Sequence, residues 1–204
     1  MIAIFATLAL LAAPQQARAV PASATSELLG LHDFGACVAR DYDKAGELLS
    51  VVPGTSREND VILDLVRKGC PSINEFTLEP DLLRGIVAEA LFKQDFGSLG
   101  ASARRPAAAV FVVPEADRLN GLPRNAQHKV GVIAYAACVV ETAPQQTMAV
   151  LRSQPGSSGE GAALAALGPT LGPCLPDGMT VEFTRPRLRG ALAEAAYRMA
   201  ASAK

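Results

Sequence analysis

The segment Leu83-Arg84-Gly85-Ile86-Val87-Ala88-Glu89-Ala90-Leu91-Phe92-Lys93 recurs as Leu188-Arg189-Gly190-Ala191-Leu192-Ala193-Glu194-Ala195-Ala196-Tyr197-Arg198. This near-repetition constrains the chain more than its composition does, because the sequence leading into each copy also lines up. Phe34-Gly35-Ala36-Cys37-Val38 matches Tyr135-Ala136-Ala137-Cys138-Val139, and Pro53-Gly54-Thr55-Ser56-Arg57-Glu58 matches Pro155-Gly156-Ser157-Ser158-Gly159-Glu160. A second cysteine follows, Cys70 or Cys174, then Glu75-Phe76-Thr77 or Glu182-Phe183-Thr184, then the LRG segment. Five landmarks in one order, with nearly equal gaps, identify an internal duplication. Its period of about 100 residues is domain-sized, unlike that of a solenoid.

Residues 1–19 have the form of a secretory signal. An apolar run from Ile2 to Ala13 ends at Pro14, and Ala17-Arg18-Ala19 offers a small-x-small cleavage site. The run is shorter than the ~20 residues of a membrane span, although no Lys or Arg precedes it. Cleavage near Ala19 places the mature chain in the periplasm or outside the cell, with no membrane span. The expected organisation is a signal peptide at 1–19, one helical unit at 20–93, a connector at 94–129 and a second unit at 130–204.

Within the first unit, residues 20–26 read as a frayed lead-in. A helix is expected from Phe34 to Val52, with Phe34, Cys37, Val38, Tyr42, Ala45, Leu48, Leu49 and Val52 on one stripe. Pro53-Gly54 ends it. The next helix opens on a capping box between Thr55 and Glu58, repeated by Ser157 and Glu160. It buries Val61, Ile62, Leu65 and Val66, and Gly69 closes it. Residues 73–78 and 179–184 read as short extended pieces, with Phe76 and Phe183 as core plugs and pairing partners in each other or in 109–113. The LRG helices open on Pro80 and Pro186, where a missing N–H costs little. In the second unit Pro144 interrupts the first helix, which restarts from Thr142, and Gly168-Pro169 shortens the next. The fold class is therefore mainly α, with two homologous three-helix units about a pseudo-two-fold axis.

The cysteines follow from the hairpin. Cys37 lies 18 residues before the apex at Thr55 and Cys70 lies 15 after it; in the second unit the legs are 19 and 17 residues. At 1.5 Å per residue, both cysteines of a unit reach the open end of their hairpin. Of the three possible connectivities, this geometry selects Cys37–Cys70 and Cys138–Cys174. An exported chain favours oxidation, and no spacing of Cys and His supplies a metal site.

Few residues suggest chemistry. Arg84-Gly85 and Arg189-Gly190 are the most distinctive polar feature. A glycine inside a helix costs about 1 kcal/mol relative to alanine, so each signals the close passage of another backbone. The arginines read as structural, bonding loop carbonyls or a carboxylate such as Glu75 or Glu182, or else as a binding pair able to grip a carboxylate or phosphate. Glu89 and Glu194 read as helix-surface partners of Lys93 and Arg198, with a pair of catalytic acids as the alternative. His32 and His128 read as solvated loop residues. There is no Gly-x-Ser-x-Gly elbow, no His-Glu-x-x-His and no phosphate-cradling loop, and no cofactor is expected. Without Arg18 the chain carries 18 basic and 20 acidic residues, which argues against a nucleic-acid partner.

The cysteine pairs with Pro53-Gly54, Leu83-Arg84-Gly85 and Ala88-Glu89-Ala90, together with their second copies, resemble a group of small exported bacterial proteins of unassigned function. The resemblance covers most of the mature chain and implies export. The expected role is a non-catalytic envelope module that binds a protein or small ligand between or across its units. The rival is a hydrolase-type enzyme with a site at the unit interface; a purely structural or stress-induced protein is the third reading.

Overall fold

The computed structural model describes residues 22–67, 70, 79–104, 107–113, 116–176 and 180–203. The expected signal, Gly69 and the extended piece at 73–78, including Glu75 and Phe76, lie outside the described residues. Nine helices account for most of what is described: α1 (Ala22–Val38), α2 (Tyr42–Ser50), α3 (Ser56–Arg67), α4 (Pro80–Asp95), α5 (Ala116–Leu119), α6 (Arg124–Thr142), α7 (Pro144–Arg152), α8 (Ser158–Leu171) and α9 (Arg185–Ser202). No strand occurs among the described residues, so 109–113 and 180–184 do not pair as expected.

The LRG helices α4 and α9 pack against each other at the centre. α1 covers α4, α6 covers α9, and the hairpins α2–α3 and α7–α8 flank them. Pro80 and Pro186 do open α4 and α9, and neither helix has a side-chain cap. The crossing is tight because both helices carry glycine at the same register. A Cβ on Gly85 would stand 2.4 Å from the Gly190 Cα, and one on Gly190 would stand 3.0 Å from the Gly85 Cα. Real side chains do not approach so closely, which explains why both helices accept the propensity cost.

One core runs through both units. Leu48, Leu49, Leu83 and Leu91 join Val139, Leu151, Leu167, Leu192 and Tyr197 in a single cluster. A small satellite of Phe111, Val130 and Ile133 sits under the connector. α6 begins at Arg124, inside the stretch 94–129 expected as connector.

Several local expectations need correction. The first helix does not run through to Val52. α1 ends at Val38, and α2 restarts after Asp41, whose carboxylate accepts from the Lys44 N–H at 3.3 Å. Asp prefers this N-cap geometry to a helix interior. The later break is made by another device, Pro144 at the start of α7, with Ala143 and not Thr142 at the N-cap. The lead-in is helical from Ala22. Val66 is exposed, not buried. Pro169 does not shorten α8, which continues to Leu171 without the one ladder bond that a residue-169 N–H would have made.

The two disulfides are Cys37–Cys70 and Cys138–Cys174, with Cα–Cα distances of 5.8 and 5.7 Å. Each ties the end of the covering helix, α1 or α6, to the chain just beyond the hairpin. Among the described residues no helix is long and apolar enough to cross a membrane.

Candidate functional site

Arg84 and Arg189 are both buried, and each reaches across the glycine crossing to the glutamate of the opposite helix. Arg84 Nε donates to Glu194 at 2.9 and 3.0 Å. Arg189 Nε and Nη2 donate to the two Glu89 oxygens at 2.8 and 2.7 Å, a bidentate pair. The remaining guanidinium N–H groups go to the C-terminal carbonyls of the adjacent hairpin's first helix. Arg84 bonds the Leu48 and Leu49 carbonyls at 2.6 and 3.2 Å. Arg189 bonds those of Val150, Leu151 and Ser153 at 2.9, 3.1 and 3.0 Å. A cation is well placed at helix C-termini, where the last carbonyls lack partners.

A second carboxylate completes each cluster. Glu58 lies 3.3 Å from Arg84 and Glu160 lies 2.8 Å from Arg189, both fully or almost fully buried. These two residues read from sequence as capping-box acids, and that reading holds only in part. Their carboxylates accept from the Gly54 and Gly156 N–H groups at 2.7 and 2.8 Å, one residue earlier than expected. Ser157 accepts from the Glu160 N–H as expected, whereas the Thr55 hydroxyl donates to the Val52 carbonyl. The glycines at these apices hold φ of +79° and +75°, the left-handed region that favours glycine.

The expected bonds to carbonyls are present, and of the two carboxylates suggested, Glu75 lies outside the described residues. Glu182 is exposed and is not bonded to Arg189. The carboxylates come instead from α3, α4, α8 and α9. Glu89 and Glu194 do pair with Lys93 and Arg198 four residues on, but they are buried and not on the helix surface. Burial alone would raise both carboxyls. The guanidiniums of Arg189 at Glu89, and of Arg84 and Arg198 at Glu194, outweigh it and hold them below the usual carboxylate range. Burial and the nearby Arg84 lower Arg198 despite Glu194, yet a guanidinium stays charged at neutral pH.

His32 is not a solvated loop residue. It lies on α1 with its Nδ1 3.8 Å from a Glu89 oxygen and its side chain 18% exposed. Burial lowers its pKa, Glu89 opposes that, and Arg189 and Lys93 reinforce it, so the imidazole is neutral at neutral pH. His128 is exposed on α6 beside Lys129. Lys129 bonds Asp81 at 2.5 Å and Glu58 at 3.3 Å, tying α6 to α4 and α3.

Two further groups join the end of the second LRG segment to Asp95 and Phe111, which lie outside the aligned landmarks. Tyr42 and Tyr197 both donate to the buried Asp95, at 3.3 and 3.0 Å, and the Tyr197 hydroxyl accepts from the Ala108 N–H at 2.8 Å. Burial pushes the Tyr197 hydroxyl's pKa far up, so it remains a donor. Arg198 lies 4.2 Å over the Phe111 ring and donates to the Phe111 carbonyl at 2.6 Å. These contacts seat the connector.

A cleft of about 90 Å³ opens between α4, α6, α9 and residues 181–183. It is lined by Gly85, Ile133, Gly190 and Ala191, by Val132 and Phe183, and by the buried Arg84 and Glu194. Phe183 is half-buried and stacks on Tyr135 at 5.6 Å, at the edge of the core where a plug was expected. The mouth holds Asp81, His128, Lys129, Glu182 and Arg187.

Comparison of the chain with protein-family models, with curated proteins and with solved structures returns no match.

Proposed function

We propose that this chain is an exported, disulfide-stabilised, non-catalytic module that binds a protein or small ligand of the envelope at the junction of two duplicated units. The observation that carries the reading is the internal engagement of Arg84 and Arg189. Their donors meet four buried carboxylates and the carbonyls of two helix ends. An anion-gripping site needs donors turned outward, and general acid–base work needs carboxyls near neutral pKa. Glu89 and Glu194 are shifted in the other direction. The mostly apolar cleft beside the glycine crossing suits binding better than chemistry.

Export rests on the signal-like start, on the resemblance to small exported bacterial proteins, and on two disulfides, which persist in oxidising compartments. The duplication and its pseudo-two-fold relation rest on the repeated sequence and on the matched bonds of the two arginines. A photo-crosslinking residue at position 128 or 182, in the chain expressed from its own start, tests the reading. A discrete crosslinked envelope species, on a chain shortened near Ala19, is the expected result. An unprocessed chain, or one that turns over a hydrolase substrate with loss on Glu89→Gln, would overturn it.

A further inference from the structure

The two covering helices are held differently. α6 is fixed near its start, where Lys129 reaches Asp81 of α4 and Glu58 of α3, and near its end by Cys138–Cys174. In the duplicated register α1 has Leu28 at the place of Lys129, so that charged tie has no counterpart. α1 is fastened towards its C-terminal end, by Cys37–Cys70 and by the close seat of Gly35 on Ile86, where an added Cβ would stand 2.1 Å from the Ile86 Cγ2. Gly30 and Gly35 each cost this helix about 1 kcal/mol of propensity relative to alanine. Its helicity therefore depends on packing against α4.

His32 sits in that packing, one turn before Gly35, where α6 has the aliphatic Ile133. Its Nδ1 is 3.8 Å from a Glu89 oxygen, beyond hydrogen-bond reach. Both Glu89 oxygens already have donors: Oε1 accepts from Lys93 and Arg189, and Oε2 from Arg189. The charged groups facing the imidazole are Glu89 and Lys93 from α4, Arg189 from α9 and Glu160 from α8. Asp33, beside it on α1, is exposed. The four facing groups sum to no charge, so a proton on His32 adds a third cation in a place shielded from water. Water takes that charge more readily, and lifting α1 supplies the water. We propose that mild acid releases α1 from α4 while the rest of the fold stays closed, with His32 as the sensor, the break at Arg40 and Asp41 as the hinge and Cys37–Cys70 as the tether. Release uncovers Ile86 and the Glu89–Arg189 pair. The device is independent of the binding reading above.

The test is hydrogen–deuterium exchange of the oxidised full chain at about pH 7 and about pH 5.5, corrected for the intrinsic amide rate at each. Protection over residues 30–38 of α1 should fall several-fold, and by at most about tenfold for one proton whose pKa in the released helix is ~6.5. Protection over residues 130–139 of α6 should hold. His32→Gln and His32→Ile should both abolish the step, the glutamine variant serving if isoleucine disturbs the seat on α4. Gly30→Ala should raise protection of α1 at both pH values and leave the size of the step unchanged. Equal losses in α1 and α6 would overturn the proposal, because acid would then act on the whole fold. So would a step that survives both His32 variants, or unchanged protection of α1 in the wild-type chain.

Discussion

Arg189 is among the largest fully buried side chains, and it neutralises two carboxylates that are themselves out of water. Removing it leaves Glu89 and Glu160 without that charge, so Arg189→Met should cost about 3–5 kcal/mol in urea unfolding. Glu89→Gln placed on top should cost less than it does in the wild-type chain. Thr147 is the opposite case. Its hydroxyl is buried with no hydrogen-bond partner among the described residues, where the first unit has Ala45. Thr147→Val keeps the shape and drops the unmet group, so it should raise stability by about 1 kcal/mol. His32 titrates against a cluster that is already neutral: Glu89 and Lys93 from α4, Arg189 from α9 and Glu160 from α8. Because folding lowers its pKa, the unfolded chain binds the proton more readily, and stability should fall as pH drops below about 6.5. His32→Ile, the residue its counterpart Ile133 carries, should flatten that slope between pH 7 and 5. A second loss should follow below about 4.3, as Glu89 and Glu194 protonate.

At the scale of elements, the glycine crossing decides how α4 and α9 meet. Gly85→Ala gains up to ~1 kcal/mol of helix propensity but drives a methyl into the Gly190 backbone. It should lower Tm steeply. Gly30→Ala in α1, where an added methyl meets nothing within 4 Å, should raise Tm slightly and serves as the control. This part of the fold was legible because a glycine placed twice, at equivalent points of an apolar helical pattern, marks where two backbones touch. The disulfides were legible because hairpin leg lengths restrict which cysteines can meet. The break between α1 and α2 was not. The apolar stripe from Phe34 to Val52 runs straight through it, and only the short side chain of Asp41 stops the helix. Pairing of Arg84 with Glu194 was illegible for a different reason. Arg84 and Glu89 are five apart on one helix, and nothing in a linear sequence says that each bonds to the other copy. The capping-box acids misled in a similar way, since one carboxylate accepts both a turn N–H and a buried guanidinium.

For the whole molecule, the consequence is that the interior is completed only by helices from both halves of the chain. Each LRG helix supplies the charge that the other buries, and the leucines of both units form one cluster. Unfolding should therefore be a single transition by far-UV circular dichroism and by Tyr197 environment alike. Reducing both disulfides should lower the midpoint without splitting it, each closed loop being worth about 3–4 kcal/mol in the chain-entropy model. The most direct test of this cross-bonded centre is a pair of double-mutant cycles followed by urea unfolding. Arg189→Met with Glu89→Gln, residues of different helices, should show a coupling of about 2–3 kcal/mol. Arg84→Met with Glu89→Gln, residues of the same helix, should be additive to within about 0.5 kcal/mol. Coupling confined to the same-helix pair, or two separate unfolding transitions, would contradict it.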